Sequence, residues 1–431
     1  MTRWIRLVAS LAMVGMVAAD AGAQDPIDRI RLGITYSGGA RPGIVVIAGA
    51  GLDSVRAIVE RDLDFSDRFE IARIPATAVQ GATPAQLIQA FKAAGVAWAA
   101  ELLPAAGGVT LRVHDLQAGT TQPPSARILS TSGIGDARLA IHRLSDAVVQ
   151  LATGGVGVAA TRILFSMGND IYRIDSDGAN VTRVTRGQGF ARSGAWSPDG
   201  SRIAFSEQRD NAGAIVIQTL ATGSRVTVPT AGRGTNTTPA FSPNGRDLAF
   251  AQVAEDGTNI HSADIAQLCC AHRLTSGGKL AVNMSPTYSP DGRRIAFVSS
   301  RAGVPQVHVM SEDGTGQQFL IPLEYGLSGA SFAPDWAPDG GRIIFARDLS
   351  GGSQLHLFTV GTGRTAAVTS TGRNEDPSWA PDSRHVAFVS NRSGRGQLWV
   401  LDLETGRSRQ IVTPGAVRLP AWSPRLGGTN P

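Results

Sequence analysis

Cysteine is nearly absent: in 431 residues only Cys269 and Cys270 occur, and they are adjacent. That count excludes a disulfide framework between distant segments, and two neighbouring thiols without other nearby ligands do not make a zinc site. The pair reads either as a vicinal disulfide in an oxidising compartment or as two thiols near a sheet edge. Lysine is as scarce, since every basic residue except Lys92 and Lys279 is arginine. The net charge of +5 is spread along the chain. No basic block interleaves with aromatics, which argues against nucleic-acid binding. No glycine-rich phosphate loop is present, and no cofactor is expected. Long apolar runs are missing apart from Leu7 to Ala19, which is too short for a membrane span. It follows the basic start Met1-Thr2-Arg3-Trp4-Ile5-Arg6 and precedes Ala21-Gly22-Ala23. This is the pattern of a secretory signal peptide over residues 1–23, cut after about Ala23. The mature chain is expected outside the cytoplasm, without direct membrane insertion.

What is abundant is glycine, 51 residues, and a repeated phrase. It reads Trp196-Ser197-Pro198-Asp199-Gly200, Phe241-Ser242-Pro243-Asn244-Gly245, Tyr288-Ser289-Pro290-Asp291-Gly292, Trp336-Ala337-Pro338-Asp339-Gly340, Trp379-Ala380-Pro381-Asp382-Ser383 and Trp422-Ser423-Pro424-Arg425. Its prolines are 45, 47, 48, 43 and 43 residues apart. A period of about 40 to 50 residues carrying strand signals marks a β-propeller with four strands per blade. Pro presets φ for a type I turn, Asp can bond its own backbone, and Gly suits the fourth position. The aromatic ends one strand, and runs such as Ile203-Ala204-Phe205 and Ile295-Ala296-Phe297 begin the next. Six phrases but only five following runs are present. The unpaired run, Ile163-Leu164-Phe165, stands before the first phrase. Pairing the C-terminal segment Arg418–Trp422 with it closes an all-β six-bladed propeller over residues 160–431 and removes exposed edges.

Residues 24–155 carry no such phrase and alternate strands with helices, an N-terminal α/β domain. Ile30, Leu32 and Ile34 alternate as a strand, and Ile44 to Ile47 is a buried-strand run. Leu52 to Leu63 reads as a helix capped near Asp53 or Ser54. Thr83-Pro84-Ala85-Gln86 is a helix start with a capping box, and Gly95 ends that helix. Val96 to Leu103 and Val109 to Leu116 form a strand pair turning at Gly107-Gly108. Asp136 to Leu151 is a helix with Ile141, Leu144, Val148 and Leu151 on one stripe.

Catalytic and metal signals are weak. His142 and Asp146 lie four apart on that helix, but no third ligand is evident, and packing or a hydrogen bond explains them. Asp175-Ser176-Asp177-Gly178 superficially resembles a calcium loop, yet lacks the closing acidic residue and sits at a hairpin turn. The phrase's Asp becomes Asn244 and Arg425 in two copies, which turns tolerate and acid–base chemistry does not. His261, His272, His308 and His356 have no Ser nucleophile elbow nearby. Site residues for catalysis, cofactor or metal are therefore none.

Several segments resemble one family, the TolB proteins of the Tol–Pal envelope system. They are Arg61-Asp62-Leu63-Asp64-Phe65-Ser66-Asp67-Arg68-Phe69, Ala140-Ile141-His142-Arg143-Leu144-Ser145-Asp146, the junction Gly154 to Phe165, and Gly415 to Pro424. The resemblance implies a periplasmic monomer that is a binding scaffold and not an enzyme. It implies a Pal-like outer-membrane lipoprotein held by propeller loops, here Asn236, Thr237, Thr238, Asn283, Met284, Ser285 and Arg418. It also implies a TolA-like inner-membrane protein held by the mature N-terminal arm, here Asp28, Ile30, Leu32 and Ile34. The expected role is outer-membrane integrity and cell division. Alternatives are an accessory or sensor protein of another periplasmic system, or a propeller hydrolase or lyase.

Overall fold

The computed structural model describes residues 41–73, 83–121, 129–130, 137–186, 189–209, 212–230, 234–321 and 329–427. The expected signal peptide and the expected arm residues Asp28, Ile30, Leu32 and Ile34 lie outside them.

The N-terminal part is built from β1 (Gly43–Ala48), α1 (Asp53–Phe65), β2 (Glu70–Ile71), α2 (Pro84–Ala93), β3 (Trp98–Ala105), β4 (Gly108–Asp115), β5 (Thr120–Thr121), β6 (Leu129–Ser130) and α3 (Ala137–Thr153). The sheet order is β2-β1-β3-β4-β5, with β6 also on β4. β1 is buried from Gly43 to Ile47 because it is an interior strand, parallel to both β2 and β3. The stripe of α3 packs on one face, where Leu144 and Val148 meet Val59 and Leu63 of α1. Thr83 does form the capping box with Gln86. At α1 Leu52 occupies the cap position, where it offers no side-chain cap, and Asp53 is already helical.

After α3 the chain becomes all β, in the sheets of a propeller. Four four-stranded sheets stand alone, and an eight-stranded one joins two such units through a single parallel pair, Gly213 with Thr235. The strand alternation explains how units stack. Ile203 and Phe205 pack against Leu164 and Ile171 of the preceding unit, while Ala204 faces Leu248 and Phe250 of the following one. The same interdigitation recurs down the chain and ends where Ala387, Leu398 and Val400 meet Ile163, Phe165 and Ile174. Each such Phe is fully buried, a burial that stabilises by about 1.5–3 kcal/mol.

The repeated phrase is a turn, as its residues require. Gly200, Gly245, Gly292 and Gly340 donate to the carbonyl three residues back and hold φ of +69, +70, +75 and +74°. Ser383 takes the same place at +55°. The Ser hydroxyl locks the strand beyond the turn: Arg202 N–H donates to Ser197 Oγ at 2.9 Å, and Arg294 N–H to Ser289 Oγ at 3.0 Å. In the last copy the donor to Ser423 Oγ is Arg162, 261 residues earlier, also at 2.9 Å. Strand β7 (Arg162–Met167) indeed pairs with the C-terminal strand Arg418–Trp422, placing Trp422 opposite Ile163 and Ala421 opposite Leu164. Among the described residues no helix is long and apolar enough to cross a membrane.

Candidate binding channel

The strand that precedes each turn phrase is broken at one place. The register shifts between Arg192 and Ala195, Thr237 and Ala240, Met284 and Thr287, Phe332 and Asp335, Glu375 and Ser378, and Arg418 and Ala421. At each bulge one non-glycine residue is left-handed: Ser193, Thr238, Ser285, Ala333, Asp376 and Leu419, with φ between +46° and +53°. Such conformations cost about 1–3 kcal/mol each and persist only where the surroundings impose them. All but Ser193 are followed by proline. Proline has no N–H, so the bulge leaves no donor unpaired at that point.

The bulges line one cavity of about 350 Å³, walled by Ser193, Thr238, Ser285, Ala333, Asp376 and Leu419 with the neighbouring prolines and every phrase aromatic except Tyr288. On the other side of the bulges a wider cavity of about 1000 Å³ carries Arg192, Arg373 and Arg418 together with Asp348, Glu375 and Asp376. A third, of about 490 Å³, shares Arg192 and Leu419 and adds Asn236 and Thr237. The arrangement is a channel: a narrow, proline-rimmed waist and a broad, two-signed mouth. Burial raises the Asp376 carboxyl, which accepts the Leu419 N–H at 3.0 Å. Burial also pushes Asp335 up to about 6. Asp335 accepts from Trp379 N–H at 2.7 Å and Thr287 Oγ at 3.2 Å, tying three consecutive units together at the waist.

The expected partner-binding residues divide. Thr237 lines the mouth, Thr238 and Ser285 the waist, and exposed Arg418 the broad cavity. Asn236 borders the mouth, but its amide is committed, donating to Gly213 O at 2.9 Å and accepting from Gln252 at 3.1 Å. Asn283 is fully buried, donating to Thr258 O and accepting from Arg301 at 3.1 Å. Met284 packs against the cluster of Ile295 and Phe297. Arg192, Arg373, Glu375 and Asp376 were not anticipated. The signal that finds this region is the proline two residues before five of the six phrase aromatics.

A second concentration of charge lies where the N-terminal part meets the propeller. Arg384, 8% exposed, chelates Asp402 at 2.7 and 2.6 Å and donates to Asp67 O at 3.0 Å. Arg407 reaches Asp67 at 2.9 Å and Asp64 at 3.3 Å. Asp177 is bound by both Arg61 and Arg138. His142 and Asp146 do not converge on one site. His142 bonds Asp62 at 2.7 Å, while Asp146 accepts the N–H groups of Ala159 and Ala160. Gly157 lies so close to Asp146 that a Cβ has no room there. Two clusters, Asp62/His142/Asp177 and Asp67/His385/Asp402, have ligand atoms within 4.8 Å of one another. Arginines pair with Asp177, Asp67 and Asp402, while Asp62 is bonded by His142 and Ser145 at 2.7 Å each.

A propeller with a lined channel and a charge-locked N-terminal α/β region defines a class of recognition scaffold. The profile of the TolB beta propeller domain matches residues 149–424, and the chain belongs to that family. It is 32% identical over 236 residues to the Tol-Pal system protein TolB of Methylococcus capsulatus, a match covering 51% of this chain and 53% of that one. It is 31% identical over 196 residues to the Acinetobacter baylyi protein of the same name, covering 42% and 45%. The chain thus aligns with about half the length of these curated relatives. The crystal structure of TolB from Acinetobacter baumannii superposes with a TM-score of 0.74 at 25% identity, over 91% of this chain and 99% of that one. These relatives carry the name of a Tol–Pal system protein.

Proposed function

We propose that this protein is a periplasmic scaffold of the Tol–Pal system that holds a Pal-like lipoprotein at the channel mouth and a TolA-like protein by its N-terminal arm. It joins the two membranes' partners in support of outer-membrane integrity and cell division. In this reading residues 1–23 are the cleaved leader, 24–155 the α/β domain and 160–431 a six-bladed ring, the eight-stranded sheet counting as two blades. The observation that carries the reading is the channel itself. A rigid concave surface with both charge signs at its rim suits a folded partner, and family membership supplies the partner class. Thr237, Thr238, Ser285 and Arg418 are its contact residues, with Asn236, Asn283 and Met284 supporting their backbone. Asp28, Ile30, Leu32 and Ile34 serve the second partner.

A photo-crosslinker at Thr237 tests this in cells. The expected product is an adduct with a Pal-like lipoprotein, absent when the probe sits at Arg112 on the N-terminal sheet. An adduct from Arg112 alone, or none from Thr237, overturns the reading.

A further inference from the structure

The two cysteines are bonded to each other, and no free cysteine remains. A disulfide stabilises a fold chiefly by closing a loop of the unfolded chain. This one joins sequence neighbours and closes none, so stability does not account for it. It lies on Cys269–Arg273, the outermost strand of its blade, paired on one side with Gly257–Asp264.

That pairing is irregular at the cysteines. His272 faces Ser262 and Cys269 faces Asp264, so Cys270 and Ala271 together oppose Ala263. Cys270 holds φ of +62° and Leu268 +54°, a left-handed region that cysteine and leucine disfavour. The outer strands Arg364–Ala367 and Ser408–Ile411 pair with their neighbours without any such shift.

The strand does not depend on its cysteines for attachment. Ala271 packs against the cluster of Phe250 and Ala263. Arg273 binds Thr275 O at 2.6 Å and Asp256 at 2.6 Å, and Thr275 Oγ accepts the Ile260 N–H at 2.9 Å. Cys270 is exposed and Cys269 half-buried. Exposed disulfides that deform the local backbone belong to the labile class, open to thiolate attack.

We infer that Cys269–Cys270 is a reversible redox site on the propeller's outer edge, whose reduced form is a vicinal dithiol that chelates thiophilic trivalent metalloids. An external dithiol supplies the two electrons. Its thiolate attacks the exposed Cys270 sulfur, and Cys269 leaves as a thiolate that takes up a proton. The second thiol of the reductant then displaces Cys270 and closes the reductant's own disulfide. The two Cα atoms stay 3.7 Å apart, because a single peptide unit separates them, so both sulfurs reach one ion. With an arsenic(III) oxide, two As–S bonds form and the oxide oxygen departs as water with both thiol protons. With no other cysteine in the chain, the released thiols have no internal bond to exchange with.

The test uses the folded full-length chain. Brief dithiothreitol treatment followed by iodoacetamide should add two carbamidomethyl groups, against none without reductant. The reduced chain should bind one phenylarsine oxide, with affinity at least about tenfold above that of the reduced Cys270→Ser variant, a difference of about 1.4 kcal/mol. The double variant Cys269→Ser/Cys270→Ser should keep the wild-type Tm and the wild-type crosslink from the channel. Three results overturn the proposal: a bond that opens only on unfolding, arsenical binding no tighter than in Cys270→Ser, or a double variant that melts well below wild type. The outcome is independent of partner binding, since the channel crosslink reports that separately.

Discussion

The seams between propeller units and the seam between the propeller and its N-terminal region bury the same residue type to opposite ends. His261, His308 and His356 stack on Phe250, Phe297 and Phe345 at 5.7–5.9 Å between ring centres. Burial depresses all three below the ordinary 6.5, because it disfavours their charged form. His142 and His385 are also buried, and burial again works against their charge. There the Asp62 and Asp382 carboxylates, each bonded at 2.7 Å, outweigh it and raise both. The lesson is that the ring is held by apolar interdigitation and the N-terminal region by compensated charge. Removing contacts should damage the first, and changing protonation or deleting a charge should damage the second.

The largest expected effect is therefore in the ring. Phe345→Ala leaves a cavity among Ile343, Val309 and Trp336 and should cost about 3–5 kcal/mol. Thermal unfolding should show the main propeller transition moved down with the N-terminal region still docked. If the variant melts like wild type, the seams do not carry the ring.

Arg384→Met should cost nearly as much, about 3 kcal/mol, because Asp402 is left fully buried without its partner. The damage should be local. Hydrogen exchange should rise in α1 and α3 while the propeller strands keep their protection. Uniform loss across the ring contradicts the division drawn here.

The smallest effect is the pH response, and its sign differs between the seams. His142 and His385 have raised values, so their contribution is fully present below 6.5 and is lost as pH rises through their folded values. His261, His308 and His356 have depressed values, so their contribution is present above 6.5 and falls as pH drops below it. Hydrogen exchange at mildly alkaline pH should loosen α3, and at mildly acid pH should loosen the Phe–His strands. A common response of both regions breaks the comparison.

Much of the architecture was readable locally. The Pro-Asp-Gly turn, the Ile-Ala-Phe run and the Thr83 capping box each act within about five residues, and all three formed as read. The channel was half readable. A proline two places before five of the six aromatics announces a special backbone, but left-handed Thr238 or Asp376 carries no mark of its own, since glycine is the residue that advertises such a φ. Asn236 and Asn283 looked like loop residues because they are polar and precede a proline. Their burial depends on Gly213 and Thr258, carbonyls more than twenty residues away. The charged seam was invisible for the same reason: Arg384 meets Asp67 across 317 positions.

Residue order alone determined the repeat, the turn chemistry, the helix start at Thr83 and the partner strand for Arg418–Trp422, because each follows from backbone preference or from counting unpaired strands. Tertiary structure decided which polar residues face the channel, which are buried as struts, and that Cys269 and Cys270 are bonded to each other. Those depend on distances between segments far apart in the chain, where burial and charge compensation are settled only once the sheets have packed.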